Sequence, residues 1–178
     1  MTKVYHSSQK DDWETPPDLF GVLDLEFGFT LDVCASPENT KVEKFFSVDD
    51  DGLQQDWGGH DCFMNPPYSQ TAKWLAKAAM EGKKLSTTVV CLIAARTDTR
   101  VWHDIVWKQA REIRFLKGRV KFVGGTASAP FPSAVVIFQK HCVDDMVDVW
   151  GWDWKKEPAY DKQGFAQKTC RENEKESP

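Results

Sequence analysis

What the chain does without narrows its possibilities first. Its 178 residues contain no Cys-x-x-Cys pair and no Cys/His cluster at zinc-ligand spacing, so no metal site is expected. Nowhere do 18 apolar residues run together, which argues against a membrane-spanning helix and a membrane partner. The opening residues, Met1 to His6, lack the basic-then-apolar pattern of a secretion signal. Cys34, Cys62, Cys91, Cys142 and Cys170 are odd in number, widely spaced and mostly set in apolar runs. They read as reduced core thiols of a cytoplasmic protein, not as a disulfide framework.

An overall excess of basic charge is also missing. The formal net charge is −4, which by itself does not favour a nucleic-acid partner. That average conceals a division: residues 1–61 carry −10, residues 62–140 carry +9 and residues 141–178 carry −3. A basic middle third can track phosphates, and an acid-rich first third can host a cationic ligand.

The length suits one domain with a sizeable core. Asp18 to Glu26 reads as a short helix started by Pro17. Phe27, Phe29, Leu31 and Val33 alternate as in a strand ending near Asp32 to Cys34, and Lys41 to Phe46 suits a second short strand. Asp49 to Gly52 is a turn. Cys62 to Met64 is a buried strand, and Ser69 is placed to cap a helix that ends at Gly82. Val89 to Ala95 has the continuous apolar character of a central parallel strand. A helix from about Val101, an alternating segment from Glu112 to Phe122, a glycine-rich loop at 124–128 and a last buried strand at Ala134 to Phe138 follow. Strand–helix alternation of this kind predicts an α/β fold, a mostly parallel sheet with helices on both faces. The expected domain is 1–140. Residues 141–178 read as a Trp-containing extension, disordered from about Lys168. Ligands of such sheets sit outside the carboxyl ends of the strands. Asp32 to Cys34 and Met64 to Pro67 should therefore meet in one crevice.

The segment that speaks most directly to chemistry is Asn65-Pro66-Pro67-Tyr68. Two prolines fix φ and remove two N–H donors, leaving the local carbonyls as acceptors with no ladder to join. The Asn amide oxygen and a fixed carbonyl make a pair of acceptors suited to an –NH2 group. Tyr68 offers a face on which a planar conjugated group can stack. An aromatic amine is a poor nucleophile because its lone pair is delocalised. Two acceptors on its hydrogens favour the pyramidal, lone-pair-localised form that attacks an electrophile. Beyond the motif, residues 108–121 hold six bases against Glu112 alone, and Lys117, Arg119 and Lys121 are placed to lie along a phosphate backbone. Arg96, just past the end of a central strand, is placed nearer a target site.

Several segments occur together in one order: Trp13-Glu14-Thr15-Pro16-Pro17, Leu31-Asp32-Val33-Cys34-Ala35-Ser36, Asp51-Gly52-Leu53 with Asp56-Trp57, and Asn65-Pro66-Pro67-Tyr68. Ala94 to Thr99, Phe115 to Phe122 and Ala129 to Ala134 continue the series. In these, over roughly residues 5–140, the chain resembles the phage-encoded DNA N6-adenine methyltransferases. The resemblance implies a Rossmann-like class I domain that uses S-adenosylmethionine and methylates the N6 amine of adenine in DNA. It implies that Asn65 and the Pro66 carbonyl hold the amine, that Pro67 completes the motif, and that Tyr68 stacks on a base flipped out of the duplex. Thr15 and Pro16 match a segment lying against the methionine end of the cofactor, with Trp13 beside it. Asp32, Cys34 and Ala35 match the loop after the first strand, although the glycine-rich loop of the wider methyltransferase pattern is absent here. Asp51, with Asp49 and Asp50 as alternatives, is the candidate for the cofactor ribose, and Asp56 for its adenine. Little chain remains for a separate target-reading domain.

Two other functions stay open at this level. A protein glutamine methyltransferase would face the same amine problem with the same motif, and an inactive nucleic-acid-binding scaffold would keep the fold alone. The intact motif speaks against the scaffold. The basic middle and the Thr-Pro-Pro segment speak against the protein methyltransferase.

Overall fold

The fold is described from a computed structural model over residues 13–125, 127–140 and 146–156. Cys142, Cys170, the segment before Trp13 and the tail after Lys156 lie outside the described residues. Among the described residues six strands form one sheet in the order β1-β2-β3-β5-β4-β6: β1 Leu31–Asp32, β2 Asp61–Met64, β3 Thr88–Ala94, β4 Glu112–Leu116, β5 Ser133–Gln139 and β6 Asp148–Trp152. β1, β2 and β3 pair in parallel, β5 runs antiparallel to β3 and β4, and β6 is parallel to β4. Five strands therefore point one way and β5 alone is reversed.

Central β3 is apolar on both sides, and its side chains divide between two cores. Val89, Cys91 and Ile93 pack on one face, against helix α2 (Thr71–Glu81) and Trp102 and Val106. Val90 and Leu92 pack on the other, against Leu19, Phe20, Leu23 and Phe27 of helix α1 (Pro17–Phe27). Helices thus cover both faces, as a buried parallel strand requires. Helix α1 starts at Pro17, after Pro16 in extended conformation, and stops where Gly28 takes φ 60° and donates its N–H to the Asp24 carbonyl. Cys34, Cys62 and Cys91 are free thiols, and Cys62 and Cys91 are fully buried.

Several local expectations are corrected. Phe27 closes α1, and the strand after it is only Leu31–Asp32, because Gly28 and the Asp24 side chain turn the chain before Phe29. The segment 41–46 makes an isolated bridge, Phe45 beside Asp32, since two residues of β1 offer no longer ladder. Ser69 lies inside a 3₁₀ turn, Tyr68–Gln70, and α2 begins one turn later with no side-chain cap. The helix after Val101 is π-helical over Trp102–Val106 before one α turn, Trp107–Gln109. The alternation read from Glu112 to Phe122 breaks at Lys117-Gly118, where Gly118 has φ 80°. Ile113 and Phe115 therefore join one core, while Val120 and Phe122 join the other. β6 lies past the expected boundary at residue 140 and is hydrogen-bonded into the same sheet.

Arg114 is the other correction. It is one of the six bases of the 108–121 segment, yet its side chain is 3% exposed. Its Nη1 and Nη2 donate to the two carboxylate oxygens of Glu26, both at 2.6 Å, and its Nε donates to Glu112 at 2.6 Å. The guanidinium lies 5.2 Å from the ring centres of Trp150 and Trp152. Burial disfavours its charge, but the Glu26 and Glu112 carboxylates outweigh that and push its pKa above the ordinary range. Removing one member of such a set strands the rest. Arg114→Met is expected to destabilise the fold by about 3–5 kcal/mol, measured by urea denaturation.

Candidate active site

β1 and β2 end side by side, and the chain leaving each turns toward the same cleft. Its lining includes Asp32 and Cys34 past β1, Asn65 and Pro67 past β2, and Trp13, Glu14 and Thr15 from the segment before α1. Asn39, Lys41 and Phe63 complete the wall of the cavity, which is partly open to solvent. The Cys34 thiol faces the backbone N–H of Asn65, and burial pushes its pKa up. The two strand ends are thus in contact.

The prolines decide where Asn65 sits, and its neighbours decide which way it faces. Its Nδ2 donates to the Trp13 main-chain carbonyl and to Thr15 Oγ1, the latter at 3.0 Å. A carbonyl can only accept, so the amide has one orientation. Asn65 Oδ1 is then buried with no hydrogen-bond partner among the described residues. A buried acceptor without a partner costs free energy unless something donates to it. The segment carrying Trp13 is itself tied down, because Val123 N–H donates to the Glu14 carbonyl at 3.0 Å.

Tyr68 stands in an aromatic group. Its ring centre is 5.0 Å from that of Phe131 and 6.5 Å from that of Trp13, whose plane is within 25° of its own. Trp13 also meets Phe122 at 5.3 Å. The Tyr68 hydroxyl is buried and without a partner among the described residues. Burial pushes the phenol above its usual pKa range, with the Arg96 charge opposing.

Asp32 is 5% exposed and accepts the Cys34 N–H at 3.3 Å. Burial raises its pKa from 3.8 to about 6, against the lowering effects of the Cys34 and Lys41 backbone N–H groups and the Lys41 charge. Asp51 and Asp56 are elsewhere: both are exposed, neither lines the cavity, and Asp56 is paired with Lys84 at 2.6 Å. Asp49 and Asp50 are exposed too, and Asp50 caps its own turn through Ser47. Within the same stretch Gly52 and Trp57 turn inward. A Cβ at Gly52 would stand 2.2 Å from the Val33 carbonyl, and the Trp57 indole N–H donates to the Gly52 carbonyl at 2.8 Å. Pro16 is buried and Ala35 half-buried beside lining residues.

Among the basic residues, Arg96, Arg119 and Lys121 are exposed and make no ion pair with a described residue. Lys117 is 69% exposed and pairs with Asp153 at 2.8 Å. Glu14, Asn39 and Lys41 were not singled out from sequence. Glu14 lies within a recognised segment, but nothing local marks its partner, 27 positions away. Among the described residues no group of three metal-binding side chains occurs, and no helix is long and apolar enough to cross a membrane.

A mostly parallel sheet with a cleft at its strand ends, lined in part by Asn65 and Pro67 of the Asn-Pro-Pro-Tyr turn, marks an α/β domain of the methyltransferase kind. The chain belongs to the DNA N-6-adenine-methyltransferase (Dam) family, whose model matches residues 2–147, and so to a family of enzymes. It is 33% identical over 140 residues to the DNA N-6-adenine-methyltransferase of Haemophilus phage HP1, covering 74% of this chain and 80% of the relative. It is 31% identical over 110 residues to the protein of the same name in Escherichia phage T1, covering 61% of this chain and 45% of that one.

Asp32 supplies a test of the site's electrostatics. Because folding raises its pKa, the folded state favours the protonated form, a contribution complete below pH 3.8 and lost as pH rises through about 6. Asp32→Asn should therefore stabilise the protein by on the order of 2 kcal/mol at pH 7.5 and add almost nothing at pH 4, read from denaturation curves at both values.

Proposed function

We propose that the chain transfers a methyl group from S-adenosylmethionine to the N6 amine of adenine in DNA, on a Rossmann-like class I scaffold. The observation that carries this reading is the fixed Asn65 amide, whose Oδ1 is a buried acceptor at the wall of the cavity. The names of the two phage relatives point to the same reaction. The single reversed strand and the cleft at the carboxyl ends of β1 and β2 support the scaffold.

The cleft fits the methyl donor in charge. Among the described residues its charged lining is two carboxylates and one ammonium, net negative against a donor of net positive charge. Trp13, Thr15, Asp32 and Cys34 are its holders in this reading, with Pro16 and Ala35 adjoining. The parts assigned to Asp51 and Asp56 rest on the family resemblance alone.

Bound there, S-adenosylmethionine supplies an electrophilic methyl group carried on a sulfonium. Asn65 Oδ1 and the Pro66 carbonyl accept the two amine hydrogens and favour the nucleophilic form of the nitrogen. Pro67 stiffens the turn, and Tyr68 stacks on the base once it has left the duplex. No general base is needed before attack, and the surplus proton passes to solvent. Arg96, Arg119 and Lys121 contact phosphates, with Lys117 contributing if it leaves Asp153.

Asn65→Ala should lower methyl transfer by at least about 100-fold, measured as N6-methyladenine by mass spectrometry of nucleosides. Its affinity for S-adenosylmethionine should stay within a few-fold of wild type by calorimetry, and unchanged methylation would end the assignment. Methyl incorporation into protein instead of DNA would favour a glutamine methyltransferase. For the DNA surface, Arg119→Ala and Lys121→Ala should each reduce the slope of log affinity against log salt by about one. A slope unmoved by both changes would remove that segment from the interface.

A further inference from the structure

The cavity wall holds a cation that the amine chemistry does not use. Among the described residues that line the cavity, Lys41 is the one basic side chain. Its Nζ lies 2.6 Å from Glu14 Oε1, with the two side chains 18% and 32% exposed. The partners come from segments with no shared regular element. Glu14 belongs to the stretch bridged to Val123, and Lys41 to the irregular chain after β1. Asn39 lines the same cavity. Its side-chain oxygen is taken by the Ser36 N–H at 2.7 Å, so its amide nitrogen is left to donate. The cavity wall therefore presents an ammonium paired with a carboxylate, and an amide donor from a residue two positions before the lysine.

That arrangement is the mirror of an α-amino-acid zwitterion, whose carboxylate seeks cationic donors and whose ammonium seeks an anion. We propose that Lys41 and Glu14 form the subsite for the amino-acid end of the methyl donor, Lys41 Nζ and Asn39 taking its carboxylate and Glu14 its ammonium. The inference rests on the reading of this cavity as the S-adenosylmethionine site. In exchange for one protein ion pair, the ligand forms two in a partly desolvated cleft, where charge-assisted hydrogen bonds are stronger than at the open surface. Asp32 remains free to face the sulfonium end.

The test compares S-adenosylmethionine with its decarboxylated analogue, which keeps the ammonium and the sulfonium. Dissociation constants are read by calorimetry on the full chain. Wild type should prefer the carboxylated ligand by roughly 10- to 100-fold. In Lys41→Met that preference should fall to near unity, while the decarboxylated analogue binds at least as tightly as to wild type because Glu14 is released. Glu14→Gln should weaken both ligands by similar factors. A Lys41→Met chain that keeps the wild-type preference overturns the inference, as does a wild type that shows none. If wild type binds neither ligand, the cofactor reading itself fails. Should Lys41→Met not fold, Lys41→Gln is read in the same way.

Discussion

The site depends on one hydrogen bond whose direction cannot be reversed. Asn65 gives its amide hydrogens to the Trp13 carbonyl and to Thr15, and a carbonyl has nothing to give back. The amide oxygen is thereby left as a buried acceptor, without a partner among the described residues, on a side chain that lines the cavity. Much of the surrounding architecture serves this contact. The prolines stop the turn after β2 from adding to a ladder, and the Glu14–Val123 bridge keeps the Trp13 carbonyl in place. Pro16 and Pro17 then launch α1 against the far face of the sheet. A residue 52 positions upstream is thus part of the motif's working geometry, although no local pattern joins the two.

The sheet explains why these segments meet. β1 and β2 are parallel neighbours, with Asp32 opposite Phe63, so the residues that follow each strand leave from the same edge. Cys34 against the Asn65 backbone is the direct consequence. β1 is short, and the chain from Val33 to His60 is held by turns and close contacts, chiefly Gly52 on the Val33 carbonyl and Trp57 on Gly52. The acidic motif residues Asp51 and Asp56 flank these anchors and point outward. In that stretch the glycine and the tryptophan hold structure, and the aspartates are left on the surface.

The legible parts of the sequence were those where one signal dominated. The apolar run of β3, the proline start of α1, the glycine end of α2 and the Asn-Pro-Pro-Tyr turn each appear where local chemistry puts them. Local signals failed where tertiary contacts decided. Arg114 looks like its exposed neighbours Arg119 and Lys121, and only the approach of Glu26, 88 positions away, buries it. The alternation across Gly118 continues in sequence while the backbone bends and sends the two halves to different cores. Glu14 and Lys41 carry no periodic or spacing signal at all. Their pairing exists only once the chain after β1 folds back beside the entry to α1.

The Arg114 knot has a bearing on where this domain stops. Its guanidinium is covered by Trp150 and Trp152 and its Glu112 partner also receives the Trp150 indole N–H at 2.7 Å, while the remaining partner sits on α1. Strand β6 is therefore the lid of a charged triad and no mere appendage to the sheet. A shortened chain ending before Asp148 would open that triad to water and leave the outer edge of β4 bare. Trp154 carries the packing past β6, its indole belonging to the core that α1 builds.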